Sequence, residues 1–396
     1  MIRSALPLVL ALELGCGGRT AAGPSASRAP ADAPRPPTAR AEASMISDID
    51  SAPLAGALVA APPGFRIAAL DCDGASVFAA GFAPSSAVAE VWVGAIEPAR
   101  RQISWETKLT VQTKIEPEYL VMSADHGSRG ERFAISEYNQ YSLCGGVQVF
   151  ERAAGRWSEQ TRMTQPDGET DILFGVPLLL RGSDLFTFEM PGAPTKTSVV
   201  HRYRRQGDAW LRSVVPFAPE ASELQWQLAM SPSGDLLALT TEHRDGHSHV
   251  DLYARDAAGK VAYLQSVPLP RAASALAVTP QRIVVGLDGP ADDGANIVLL
   301  ERDPSGFRVR ATVALPPDRS PSVGEIVAVA EHVVVSAGGV WIVDLETRKV
   351  VRRLTASAAG EGSAHRLQGP LASCGASLLA THGDALALFD LADIGR

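Results

Sequence analysis

The sequence predicts an all-β fold: a seven-bladed β-propeller of four-stranded antiparallel blades, preceded by a signal peptide and a disordered linker. Three observations predict it. One strand–turn–strand unit recurs along most of the chain. The copies are spaced by roughly the length of one blade. A short apolar segment also stands upstream of the first unit, where it can complete the last.

The 396 residues alone suggest two or three domains. Repeat-built β folds escape that expectation, because they grow by adding units to one closed body. The hydrophobic share of 46% and charged share of 20% suit a globular core. The 35 glycines and 28 prolines supply the many short turns that such a fold needs. The net charge of -8 argues against a nucleic-acid partner, which requires a basic face.

Residues 1–16 read as a lipoprotein-type signal peptide. Arg3 gives a minimal positive start, and Ala5 to Leu12 is an apolar stretch too short to stay in a bilayer as a spanning helix. Leu12-Glu13-Leu14-Gly15-Cys16 then resembles a lipobox, which implies cleavage before Cys16 and a lipid on its thiol. Glu13 departs from the leucine usual at its position, and a plain secreted protein with a chance cysteine is the competing reading. Residues 17–51 are rich in Ala, Pro and Ser and lack large apolar side chains, so they cannot bury enough surface to offset their ordering entropy. They are expected to form a disordered, semi-stiff tether. The propeller is expected over residues 52–396.

The repeat is explicit. Val147 to Trp157, Val200 to Trp210, Ile297 to Phe307 and Val340 to Val350 each run from a branched residue, through a polar turn, to an aromatic or branched residue ten positions on. Val250 to Val261 is the same unit with one extra residue, Val91 to Ile103 is a looser copy, and Ala385 begins a seventh. Alternation within the strands fits the two-residue β period, and Gly, Asp and Pro fit hairpin turns. Successive starts are 56, 53, 50, 47, 43 and 45 residues apart, one four-stranded blade each.

A second hairpin precedes each unit, as in Leu228 to Thr240, Leu276 to Gly286, Ile326 to Ser336 and Leu371 to Ala380. Their small and branched residues suit inner strands buried between blades. The segment Ala52 to Ala61 is expected to provide the outer strand of the seventh blade, since Arg396 falls where that strand would begin. Such closure removes two free sheet edges. In this pattern the chain resembles bacterial β-propeller lipoproteins with FG-GAP-like or WD40-like repeats. The resemblance is architectural. The Phe-Gly and Gly-Ala-Pro landmarks of one family and the Trp-Asp ending of the other are missing, so no functional residue carries over.

Of the four cysteines, Cys16 is the lipid acceptor. Cys72 and Cys374 follow the inner strands of the first and last units, so a disulfide between them would join the ends of the ring. Two buried free thiols are the alternative. Cys144 falls in a loop on the opposite face.

The loops between second and third strands should share one face. In one of them His243, His247 and His249 lie beside Glu242, Asp245 and Asp251, a donor set that suits zinc. In another, Asp292 and Asp293 with Asp288 and Asn296 offer the oxygen ligands that suit calcium. The bland reading of both is a polar hairpin turn. Arg202, Arg204 and Arg205 read as the solvated side of a strand. No nucleophile elbow, phosphate loop, His-Glu-x-x-His or Cys-x-x-Cys motif occurs. The expected function is a monomeric, non-catalytic binding or scaffold propeller for a protein or glycan partner. It would sit in the periplasm or on the cell surface, meet the membrane through its lipid alone, and need no cofactor. A metal-dependent hydrolase or lyase at the histidine loop is the alternative.

Overall fold

A computed structural model describes residues 54–394, except 84–85, 87, 115–119, 126–130, 137–144, 165–171, 192–197, 290–294, 317–321, 358–364, 368 and 383–384. The described chain forms seven four-stranded blades in a propeller. Blade one runs over Arg66–Lys114, blade two over Met122–Thr164, and blade three over Ile172–Val215. Blades four, five and six run over Ala221–Pro268, Ala273–Ala314 and Glu325–Ser357. Blade seven takes three strands from Leu371–Asp390 and its fourth from Leu54–Val59.

Each recurrent unit of the sequence begins in the third strand of a blade. Val147 lies in Gly146–Ala153, Val200 in Val199–Gln206 and Val340 in Val340–Asp344. These strands are covered on both faces by neighbouring blades, so Val147 through Phe150 are all buried and the sequence there cannot alternate with polar residues. The outer strand Arg156–Thr164 has one blade edge to solvent and is mostly polar and exposed. Between them Ala154 and Gly155 take φ of 50° and 75°, the two left-handed residues that a tight two-residue hairpin requires.

Leu54–Val59 pairs antiparallel with Ala385–Asp390, Ala57 opposite Leu388, and so completes the seventh blade. Its other edge pairs parallel with Lys349–Ser357, the outer strand of blade six, which fuses blades six and seven into one nine-stranded sheet. Nothing in the residue pattern of Leu54–Val59 announces this second pairing. It follows from geometry, because an added outer strand carries a free edge of its own beside the neighbouring blade.

The core lies between blades. Trp341, Val335 and Val343 of blade six pack on Val284 and Leu299 of blade five. Trp157 of blade two meets Phe78 of blade one and Phe133 of its own, with ring centroids 5.8 and 5.3 Å away. Polar side chains stitch blades as well. Ser123 Oγ accepts from Leu180 N at 3.0 Å, and Gln265 both accepts from Phe307 N (2.8 Å) and donates to its carbonyl (2.6 Å).

Of the three arginines expected in solvent, Arg202 and Arg205 are ion-paired and Arg204 bonds a backbone carbonyl. Arg202 is 8% exposed and donates to Asp184 Oδ1 at 2.9 and 2.7 Å. Asp184 also receives Arg255 from blade four. Arg205 donates to both oxygens of Glu151 on blade two, and Arg204 to the Ala258 carbonyl on blade four. A guanidinium on a long stem reaches the next blade, which a charge count along one strand cannot show. Among the described residues no helix is long and apolar enough to cross a membrane.

Candidate functional site

The inner strands of blades one, two, six and seven begin at the same end of the ring. There they surround a cavity of about 410 Å³. Its wall includes Ala68, Leu70, Met122, Glu325 and Pro370. Gly324 and Gly369 sit at strand entries, and the small Ala68 and Ala69 leave the space open where larger residues would fill it. A pocket of this size, mostly apolar with few polar groups, is the usual form of a ligand site.

Glu325 is the ionisable group of that wall. It opens the inner strand Glu325–Val329 of blade six, and its Oε2 accepts from Leu371 N on blade seven at 2.5 Å. Burial pushes its carboxyl up to about 8, the Leu371 hydrogen bond opposes this, and the negative charge of Asp71 adds to it. At neutral pH the group therefore holds its proton and presents an O–H. Asp71, on the inner strand of blade one, accepts from Ala124 N (2.7 Å) and Cys72 N (2.8 Å). No Lys, Arg or His pairs with Glu325 among the described residues. The arrangement can take a hydrogen-bonding or cationic group, while among the described residues no nucleophile with a partnered base stands on the wall.

The histidine loop is the turn between the second and third strands of blade four, Leu236–His243 and Ser248–Arg255. His243 and His249 are buried and stacked, ring centroids 3.7 Å apart and planes within 10°. Asp251, fully buried, stands 3.1 Å from His243 Nε2 and accepts from Thr241 Oγ1 at 2.8 Å. Ser266 Oγ lies 3.0 Å from His249 Nδ1. Burial and then the adjacent His243 hold His249 below its ordinary value. His247 is exposed on the turn, its N–H donating to Asp245 Oδ1 at 2.9 Å. The structure thus brings two of the three histidines together and leaves the third in solvent. Among the described residues no group of three or more His, Cys, Asp or Glu is placed to hold a metal. Asp292 and Asp293 lie outside the described residues.

Cys72 and Cys374 are joined by a disulfide, with Cα atoms 5.1 Å apart. The bond links blade one to blade seven within the cluster that also holds Val59, Phe65 and Leu379. Cys16 and Cys144 lie outside the described residues.

Sequence reasoning missed Glu325, although one signal was present. Glu325 heads an inner strand that is otherwise Ile-Val-Ala-Val, and a carboxyl there needs a reason. Nothing in the chain announces that residues near 69, 122, 325 and 370 converge.

No protein-family model matches the chain, and no curated protein matches it. Solved structures do. The chain is similar to PorZ, an essential bacterial surface component of the type-IX secretion system of Porphyromonas gingivalis. The TM-score is 0.53 and the identity 14% over 83% of this chain, which spans 47% of the length of PorZ. It is also similar to a candidate 6-phosphogluconolactonase from Bacteroides fragilis NCTC 9343, with TM-score 0.49 and 13% identity over 70% of this chain and 80% of that one. Apo AztD from Citrobacter koseri has TM-score 0.48 and 16% identity, over 82% of this chain and 83% of that one. At these identities the likeness shows the fold alone: the chain is a seven-bladed β-propeller.

Proposed function

We propose that this protein is an exported, lipid-anchored propeller that binds a protein or glycan partner in the cell envelope without catalysing a reaction. The cavity of about 410 Å³ among the inner strands of blades one, two, six and seven carries this reading. It opens on a face built from rigid strand ends of four blades, a form suited to positioning a partner and not to moving during turnover. The lipobox-like run ending at Cys16 supports the anchor.

Two measurements test the two halves. Mass spectrometry of the mature N-terminus should find an acylated Cys16, and Cys16→Ser should release the protein from the membrane fraction. Photocrosslinkers placed at Ala68 and Val121 of the full chain, in its own envelope, should give a specific adduct. Adducts from the outer strands, such as at Leu264, with none from the cavity would move binding to the rim and end this reading.

A further inference from the structure

We propose that the cavity among the inner strands of blades one, two, six and seven receives the ammonium group of a lysine side chain from a partner protein, with Glu325 as the counter-charge. The proposal rests on the reading that this face binds a partner, and it names the chemistry of the contact.

The cavity's size and lining suit an aliphatic stem. Ala68, Leu70, Met122 and Pro370 offer apolar wall, and about 410 Å³ holds a butyl chain with its ammonium. The charge is complementary once Glu325 releases its proton. Glu325 has one oxygen occupied by the Leu371 N–H, and no cationic side chain pairs with it among the described residues. The charged side chain acting on it is Asp71, from the inner strand of blade one, and Arg181 acts on Asp71 in turn. Glu325 is the carboxyl that lines the cavity, where a low dielectric strengthens its attraction for a cation once it is ionised. The whole chain carries -8, a net charge that favours the approach of a cation.

The site is also pH-gated by its own chemistry. With its carboxyl pushed up to about 8, Glu325 must release a proton before it can pair with an ammonium. A lysine ammonium remains charged well above that pH. Affinity should therefore fall roughly tenfold for each unit below pH 8, as the competent fraction falls.

The test is calorimetric titration of the full chain with Nα-acetyl-lysine N-methylamide between pH 6 and 9. We expect saturable binding that strengthens by roughly tenfold per unit up to pH 8. It should be lost on Nε-acetylation of the ligand and lost in Glu325→Gln. Ala68→Leu, which fills the cavity and leaves the carboxyl intact, should also abolish binding and covers the case of a Glu325→Gln variant that fails to fold. Binding indifferent to pH or to both variants overturns the proposal. Tighter binding of glucosamine than of the lysine derivative overturns the lysine assignment, and calcium displacing the ligand at equal concentration overturns the ammonium. Failure of this inference and failure of the broader function are separable. An envelope adduct formed equally by wild type and Glu325→Gln keeps the binding function and removes the ammonium. Lysine-derivative binding with no envelope adduct does the reverse.

Discussion

Asp184 and Glu325 are both acids inside the ring, and their partners give them opposite roles. Asp184 is 1% exposed and holds Arg202 of its own blade and Arg255 of the next. Asp184→Asn leaves two guanidinium groups short of their counter-charge, one of them buried. We expect a loss of about 3 kcal/mol, read as a lower urea midpoint with unchanged slope. Glu325 has no such partner among the described residues, and burial holds its proton more tightly in the folded than in the unfolded chain. Its contribution to stability is complete below its ordinary value of 4.5 and is lost as pH rises through about 8. Through this group, the wild type should lose up to a few kcal/mol of stability between pH 5 and pH 9. Glu325→Gln should flatten that slope and be the more stable form at pH 9. Parallel midpoint-against-pH curves for the two proteins would refute the assignment. Neither role was legible in the sequence, because both depend on which side chains the adjoining blades contribute.

At the scale of single strands, much more was legible, and for a physical reason. In blades one to six the third and fourth strands are joined by two to five turn residues, so the ten-residue offset in Val147 to Trp157 records a local hairpin. The inner hairpins were legible for the same reason. The cavity was not, since it gathers the beginnings of four inner strands about fifty or more residues apart along most of the chain. The histidine loop shows the limit from the other side. Proximity along the chain put His243, His247 and His249 together, but strand pairing then fixed their directions. Ser248 pairs with Glu242 and His249 with Thr241, while His247 falls in the turn and stays in solvent. Close approach within a hairpin also sets single residues. A Cβ on Gly81 would stand 1.9 Å from the Arg66 carbonyl on the paired first strand. Gly81→Ala should therefore force the first two strands of blade one apart, at a cost of about 1–3 kcal/mol in thermal or denaturant unfolding. An unchanged midpoint would mean that this hairpin yields more readily than a packed blade should.

Across the whole molecule, the ring has one seam, and three different kinds of contact close it. Leu54–Val59 bonds to blades six and seven, the Cys72–Cys374 disulfide ties blade seven to blade one, and Phe65 and Val59 pack with Leu379 and Leu388 beneath both. The disulfide spans 302 residues of sequence, so in the chain-entropy picture it restricts the unfolded chain strongly. Cys72→Ser with Cys374→Ser should cost up to about 5 kcal/mol in denaturant unfolding while the folded ring persists, because strand and core still hold the seam. The closing strand does something the disulfide cannot, which is to cover backbone. Without it the Ala385–Asp390 and Lys349–Ser357 edges would each expose a row of N–H and C=O groups. Replacing residues 54–59 with an equal run of Gly and Ser should therefore produce concentration-dependent oligomers in size-exclusion chromatography, with the disulfide still formed. The double cysteine variant should remain monomeric in the same experiment. If both behave alike, strand pairing is not what protects the seam, and the edge-covering role assigned to Leu54–Val59 is wrong.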